Sequence, residues 1–384
     1  MQTQSPRTVQ SALPAFGDIA AILGDLEQVL RSGKLMLGEY LRRFEETFAQ
    51  SVGCRTAIGV NSCTTALEIT LRHLGVEGAE VVLPTNTFIA TLTACLNAGA
   101  KPRLTDIHPE TLCMDAENLS RAITGQTRAV ILVHLGGGIT RDLAEIQALC
   151  RVRGIPLIED CAHAQGASFS GVQAGALGWA GCFSFYPTKI VTTGSGGMIT
   201  TNDEKLARFA RSARIHGRGN AAEGETDQIE RLGNDWFLDE IRSVLGLHQL
   251  SRLEENLRIR RGLAQRYREL LAAVPEVTPV PFAAGCEPSH YKFMLLVDPS
   301  VSLPALRQAL WEKHRIETES LYFPPCHLQP VYRRLFGGRE GMFPVAESVL
   351  QRQLCLPLHA GMTPEDAEYV VSGLETELQR QHGR

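Results

Sequence analysis

The feature that most constrains this chain is an alternation of short apolar runs with amphipathic helical stretches. "EVVLP" (80–84), "RAVILVHL" (128–135), "IPLIEDCAH" (155–163), "GCFSFYP" (181–187) and "GGMITT" (196–201) read as buried strands. Between them, "TTALEITLRHLG" (64–75), "TFIATLTACLNAG" (87–99), "DLAEIQALCRVRG" (142–154) and "DEKLARFARSAR" (203–214) carry helical spacing. Together they predict an α/β fold with a mostly parallel central sheet sandwiched by helices. In such sheets ligands collect at the carboxyl ends of strands, where Asp160, Ser184 and Lys189 fall. Two long helical patterns over 234–274 are followed by the proline- and glycine-rich "PEVTPVPFAAGCEPS". This change of texture predicts a large domain over 1–255, with an N-terminal arm at 1–30, and a smaller C-terminal α+β domain over 256–384. The final helix, expected over 362–380, opens on Thr363-x-x-Asp366, a capping-box pattern.

Composition removes several functions. A net charge of −4 with a pI near 6.3 gives no electrostatic footprint for nucleic acid or an anionic membrane. The ten cysteines contain no C-x-x-C pair and sit mostly in apolar runs. They read as buried free thiols in a reduced cytosol, with no metal site and no disulfide framework. "MQTQSPRTVQSALPAFGD" has no basic segment followed by an apolar one, so no signal peptide is expected, and no run reaches transmembrane length. A cytoplasmic protein is expected.

Only six of the 38 basic residues are lysine: Lys34, Lys101, Lys189, Lys205, Lys292 and Lys313. Lys101, Lys205 and Lys313 sit in polar turns or on charged helix faces, and Lys34 lies in a Gly-flanked loop. Lys292, in the strand-like "HYKFMLLV", can point either way. Lys189 stands where apolar strand gives way to glycine loop, in "GCFSFYPTKIVTTGSGGMITTND" (181–203). A desolvated lysine becomes a nucleophile, which arginine cannot do.

A Schiff base at Lys189 with pyridoxal 5′-phosphate asks for three further things. The pyridinium nitrogen needs a carboxylate, and Asp160 ends the strand "IPLIED", although alone it reads as a cap. The phosphate needs hydroxyls and N–H groups at a helix start. "GVNSCTTALEI" places Asn61, Ser62, Thr64 and Thr65 at a strand-to-helix turn, where an N-cap cluster is also common, and Ser184 could add a second hydroxyl. The ring needs an apolar face, and Phe88 opens another helix after another strand, a position that core packing also explains. The glycine triplet of "VHLGGGIT" is not G-x-G-x-x-G and is followed by no Walker lysine, so a nicotinamide dehydrogenase ranks lower. His134 and His163 lack metal-ligand spacing and read as hydrogen-bonded structural groups.

The order "GEYLRRFEETFA", "VNSCTTALEITL", "PTNTFIATLTA", "VHLGG", "LIEDCAHAQGA", "FSFYPTK", "GGMITTND", "RIHG", "GND" and "CLPLHAGMT" resembles the DegT/DnrJ/EryC1/StrS family over roughly residues 30–375. The resemblance implies a fold-type-I, pyridoxal-phosphate-dependent aminotransferase, many relatives of which act on nucleotide-linked keto-sugars. It implies that Lys189 is the Schiff-base lysine and proton shuttle. Asp160 pairs with the pyridine nitrogen, and His163 lies near the 3′-oxygen of the ring. Ser62, Cys63 and Thr64 match the phosphate-binding Ser-Gly-Thr, Ser184 the second hydroxyl and Phe88 the stacking aromatic. Asn234 matches an asparagine that reaches the phosphate of a partner subunit, which implies a homodimer with a shared site. The dehydratase branch replaces the lysine by histidine, so its presence favours transamination. The donor implied is L-glutamate. Departures gather at the substrate end: Cys63 for glycine, Ser195 for glutamate, Phe237 for arginine, no aromatic before the glycines of "LGGGIT", and a longer segment at 217–233. Other acceptors stay open, such as a cyclitol or other non-nucleotide ketone, as do an aminohydroxybenzoate-type synthase and a non-catalytic sensor.

Overall fold

The structure, a computed structural model, describes residues 7–219 and 228–381. Of the polar segment 217–233, residues 220–227 lie outside the described residues. The central sheet is built from β1 (Thr56–Val60), β2 (Glu80–Pro84), β3 (Lys101–Thr105), β4 (Thr127–Val133) and β5 (Leu157–Asp160). A short pair, β6 (Ser168–Phe169) and β7 (Val172–Gln173), precedes its last two strands, β8 (Ala180–Ser184) and β9 (Gly197–Thr201). The order is β1-β9-β8-β5-β4-β2-β3. Pairs from β8 to β3 are parallel, as the apolar runs predict, while β9 is antiparallel to both β1 and β8. No helix separates β8 from β9, so the chain returns beside the strand it left.

Successive side chains feed opposite faces of the sheet. Val130, Leu132, Leu157 and Met198 join a core with Phe44, Phe48, Phe183 and Phe185. Ile131, Val133, Ile158 and Ile199 join another with Ile58, Leu67 and Leu83. The covering helices are α1 (Ile19–Ser32), α2 (Glu39–Val52), α3 (Cys63–His73), α4 (Ile89–Asn97), α5 (Ala116–Ala122), α6 (Leu143–Arg153) and α7 (Glu204–Ala213). Burial on both faces is why the strands lack polar alternation. The sequence reading passed over β3 and placed β1 only as the unnamed strand before the turn of "GVNSCTTALEI". "TAIGV" is short and small, and "KPRLT" carries a proline that only the sheet's edge position tolerates.

α8 (Glu240–Ser251) and α9 (Leu253–Leu271) lead to a three-stranded antiparallel sheet of β10 (Val277–Pro279), β12 (Phe293–Val297) and β13 (Gln353–Leu356). β11 (Cys286–Glu287) leaves this sheet and pairs with β6. The last helices are α10 (Leu303–His314), α11 (Pro330–Phe336), α12 (Pro344–Leu350) and α13 (Pro364–Gln381). The capping box forms reciprocally: Thr363 N–H donates to Asp366 Oδ2 at 2.8 Å and Asp366 N–H to Thr363 Oγ1 at 3.3 Å. Near the other end of the chain, Val9 bridges to Ile316. Among the described residues no helix is long and apolar enough to cross a membrane. The ten cysteines are free, eight of them buried.

Candidate active site

A cavity of about 600 Å³ opens at the carboxyl ends of the parallel strands, and it gathers Ser62, Cys63, Thr64, Phe88, Asp160, His163, Ser184 and Lys189. Each arrives by the same local logic. Asp160 and Ser184 end β5 and β8, and Ser62 and Phe88 are the N-caps of α3 and α4. Asn234 is the exception. It is exposed and does not line the cavity, and its Oδ1 accepts from Asp235 N–H at 2.8 Å.

Lys189 sits on a turn closed by its own N–H to Tyr186 O at 2.9 Å. Its Nζ lies 4.4 Å from the centre of the Tyr291 ring. Burial, assisted by the charge of Lys292, pulls the ammonium down to about 8, against the opposing pull of Asp160. A free amine is therefore accessible near neutral pH.

Asp160 is held by Thr91, whose Oγ1 donates to Oδ2 at 2.7 Å, and by Ala162 N–H, which donates to Oδ1 at 3.1 Å. Among the described residues it forms no ion pair, and it faces the cavity buried. A buried carboxylate without a cation is costly unless a ligand supplies one. That unmatched charge fits a protonated pyridine nitrogen.

Ser62 caps α3 by accepting from Thr65 N–H at 3.1 Å, and Thr65 Oγ1 donates in turn to Asn61 Oδ1 at 2.7 Å. The first turn of any helix leaves N–H groups without a carbonyl four residues back, here those of Cys63 and Thr64 at the cavity wall. Cys63 does not obstruct them. Its Sγ turns inward, 3.4 Å from Cys182 O and 3.8 Å from Asp160 Oδ1. Burial and the neighbouring carboxylate push this thiol well up, so it stays protonated. Gly197 starts β9 against this turn, and a Cβ there would lie 2.4 Å from the Ser62 carbonyl carbon. With Ser184, the cluster can hold a phosphate.

His163 is neutral. Burial lowers its pKa well below the usual value, and the charges of Lys189 and Lys292 add to that. Its Nδ1 accepts from Gly136 N–H at 3.3 Å, so Nε2 carries the proton and meets Tyr322 Oη at 2.9 Å. Its ring stacks on Tyr291 at 4.2 Å. The glycine triplet explains itself here. Gly137 has φ +92, and a Cβ on it would sit 2.2 Å from Ser289 Oγ and 2.9 Å from His163 O. These glycines admit the segment that carries Tyr291.

Phe88 is 55% exposed, a large share for a ring that lines a cavity, and its partner ring is Tyr322 at 5.5 Å. An aromatic kept open in this way offers a face to a flat ligand. Ser195 Oγ donates to Asn61 O at 3.2 Å. His134 is paired with Glu159 at 2.8 Å, fully buried away from the cavity lining, and Glu159 also accepts from Gly175 and Gly178 N–H.

Sequence reasoning missed Thr91, Tyr291, Arg307, Glu319 and Tyr322 of the cavity wall. Tyr291 lay inside "HYKFMLLV", weighed only for Lys292, and Tyr322 in "YFPPCH", a loop stretch without a catalytic motif. Nothing local distinguished Arg307 among the helical arginines.

This mostly parallel α/β sheet, with a buried lysine and a buried carboxylate at its strand ends, is that of a fold-type-I, pyridoxal-phosphate-dependent aminotransferase. The chain belongs to the DegT/DnrJ/EryC1/StrS aminotransferase family, whose profile matches residues 18–375. It is 35% identical over 362 residues to the spore coat polysaccharide biosynthesis protein SpsC of Bacillus subtilis (strain 168), covering 91% of this chain and 92% of that one. The aminotransferase TlmJ from Streptoalloteichus hindustanus superposes with a TM-score of 0.89 at 33% identity, over 97% of this chain and 99% of that one. Spr1654 from Streptococcus pneumoniae in its PLP form matches with a TM-score of 0.89 at 25% identity, over 98% and 100% of the two chains.

Proposed function

We propose that this aminotransferase moves the amino group of an amino acid, L-glutamate, to a keto-sugar carried on a nucleotide, for amino-sugar, antibiotic or polysaccharide biosynthesis. The observation that carries the reading is Lys189, drawn down to about 8 inside the cavity that also contains the unmatched carboxylate of Asp160. The similarity to SpsC, a spore coat polysaccharide biosynthesis protein, supports the choice of a sugar.

Pyridoxal phosphate supplies an electron sink that acidifies the Cα–H of a bound amino acid. The chain's own residues do the rest. Asp160, positioned by Thr91 and Ala162, holds positive charge on the pyridine nitrogen. Ser62, Thr64, Ser184 and the N–H groups of Cys63 and Thr64 hold the phosphate, and Phe88 covers the ring. Tyr322, hydrogen-bonded to His163 Nε2, would fix that imidazole beside the bound cofactor, where the family places it near the ring's 3′-oxygen. Lys189 Nζ, once free of its proton, is the base for the donor Cα–H. The exposed Asn234 supports a homodimer in which it reaches the partner's phosphate. A division into domains 1–255 and 256–384 and a cytoplasmic location belong to the same reading.

The test is spectroscopic. The holoenzyme is expected to carry a visible band that borohydride bleaches at Lys189 and that L-glutamate shifts. A keto-sugar nucleotide is then expected to restore it. Glutamate leaving the band unmoved would sink the donor; restoration by a cyclitol ketone alone would sink the nucleotide-linked acceptor.

A further inference from the structure

An enzyme that alternates between an anionic amino acid and a ketone in one cavity must recognise both with the same walls. The Lys and Arg side chains that line this cavity are Lys189 and Arg307, and its carboxylates are Asp160 and Glu319. Lys189 and Asp160 are committed to the cofactor. Arg307 and Glu319 remain, of opposite charge, with Ser320, which follows Glu319 in the sequence, also at the wall.

Glu319 is a built group. Lys292 Nζ lies 2.7 Å from its Oε2, and Ser11 Oγ donates to its Oε1 at 2.7 Å. The lysine is 1% exposed and the glutamate 35%, so the pair presents its anionic end to the cavity and its cationic end to the protein. Lys292 also donates to Ser11 O at 3.3 Å, which ties the N-terminal segment to the same group. Burial alone would raise the Glu319 carboxyl; Lys292 and Ser11 hold it below its usual range, so it stays ionised. An ionised carboxylate only accepts hydrogen bonds, and each of its oxygens keeps a lone pair after these contacts. Arg307 is complementary. It donates to Thr318 O at 2.9 Å and to Ser320 Oγ at 3.5 Å, which uses two of its five N–H groups.

We propose that Arg307 and Glu319 divide the substrates between them: Arg307 holds a carboxylate of the amino donor, and Glu319 holds hydroxyl groups of a polyhydroxylated ketone acceptor. This rests on the transamination reading and adds the chemical class that the acceptor must present near the reacting centre. A neutral hydroxyl-rich ring gains hydrogen bonds at Glu319 that a keto acid would exchange for repulsion. The donor's carboxylate finds in Arg307 a forked donor that Lys189, facing the cofactor, does not supply.

The two half-reactions of the holoenzyme, followed separately by stopped-flow absorbance, test this. L-Glutamate loads the amine. 2-Keto-myo-inositol, a nucleotide-linked 4-keto-6-deoxyhexose and the hydroxyl-free cyclohexanone then unload it. Glu319→Gln is expected to slow unloading by the hydroxylated ketones roughly ten- to hundred-fold, the worth of hydrogen bonds to a charged group, with the donor half-reaction nearly unchanged. Arg307→Met is expected to do the reverse, and Arg307→Lys to recover part of the donor rate. The proposal is overturned if both variants slow both halves alike, or if Glu319→Gln leaves the preference for hydroxylated ketones intact. It is equally overturned if Arg307→Met affects only unloading, which would assign that guanidinium to a phosphate of the acceptor. If the unsubstituted enzyme unloads to none of these ketones, the acceptor of the preceding section fails, while the Arg307 arm still decides the donor half. Should Glu319→Gln not fold, Ser11→Ala removes one hydrogen bond from the same carboxylate; unchanged unloading there would also overturn the assignment.

Discussion

Lys189 and Lys292 both lie near one tyrosine, with Nζ 4.4 and 5.4 Å from the Tyr291 ring centre. The first ends a loop after β8, forms no ion pair among the described residues and is pulled down to about 8 by burial. The second precedes β12 and is matched by Glu319 at 2.7 Å. Burial is common to both. A buried amine that lacks a counterion is relieved by losing its proton, whereas the Lys292–Glu319 contact holds its carboxylate partner in place. The same residue type, beside the same ring, thus forms no ion pair among the described residues in one corner and is held in one in the other.

The largest effect that would break this contrast is at Lys189. Lys189→Ala is expected to remove at least about a thousandfold of the turnover and all borohydride-trappable cofactor, with circular dichroism unchanged. Next is the pH dependence of cofactor uptake by the apoenzyme. An amine reacts only when deprotonated, and its burial-lowered value is about 8. The uptake rate should therefore rise about tenfold per pH unit below 8 and level off above it; a rise continuing past 10 would mean an ordinary lysine. Lys292→Met should sharpen the comparison in two ways. It leaves Glu319 without its cation and should cost about 1–3 kcal/mol in urea unfolding, between an exposed and a fully buried broken pair because Glu319 is partly exposed. It also removes a positive neighbour that lowers Lys189, so the uptake profile should move to higher pH. Smallest is Cys63→Gly. Its thiol faces Cys182 O and Asp160 rather than the phosphate cradle, so the cofactor Kd should shift less than in either lysine variant.

Most residues expected at the cofactor end share one cavity, and they were legible because each is tied to local structure. A carboxylate at the end of an apolar run, hydroxyls at a helix start and a lysine between strand and glycine loop are read from a few adjacent residues. The antiparallel course of β9 was not legible, because an apolar run has no direction. β3 was hidden by Lys101 and Pro102, which only an edge strand accepts. The substrate end was hidden for a different reason. Arg307 lies in α10, Glu319 beyond it and Lys292 just before β12, and each alone reads as a charged residue on a helix, a loop or a strand.

By itself, the order of residues determined the alternating architecture, the family and the identity of the groups at the strand ends, since hydrophobic period and capping chemistry act over a few residues. The tertiary structure alone decided which of six lysines keep company with an anion, and which side chains from the C-terminal sheet close the cavity. Those outcomes depend on dielectric and on distances between segments remote in sequence, and neither is a property of any stretch of chain taken separately.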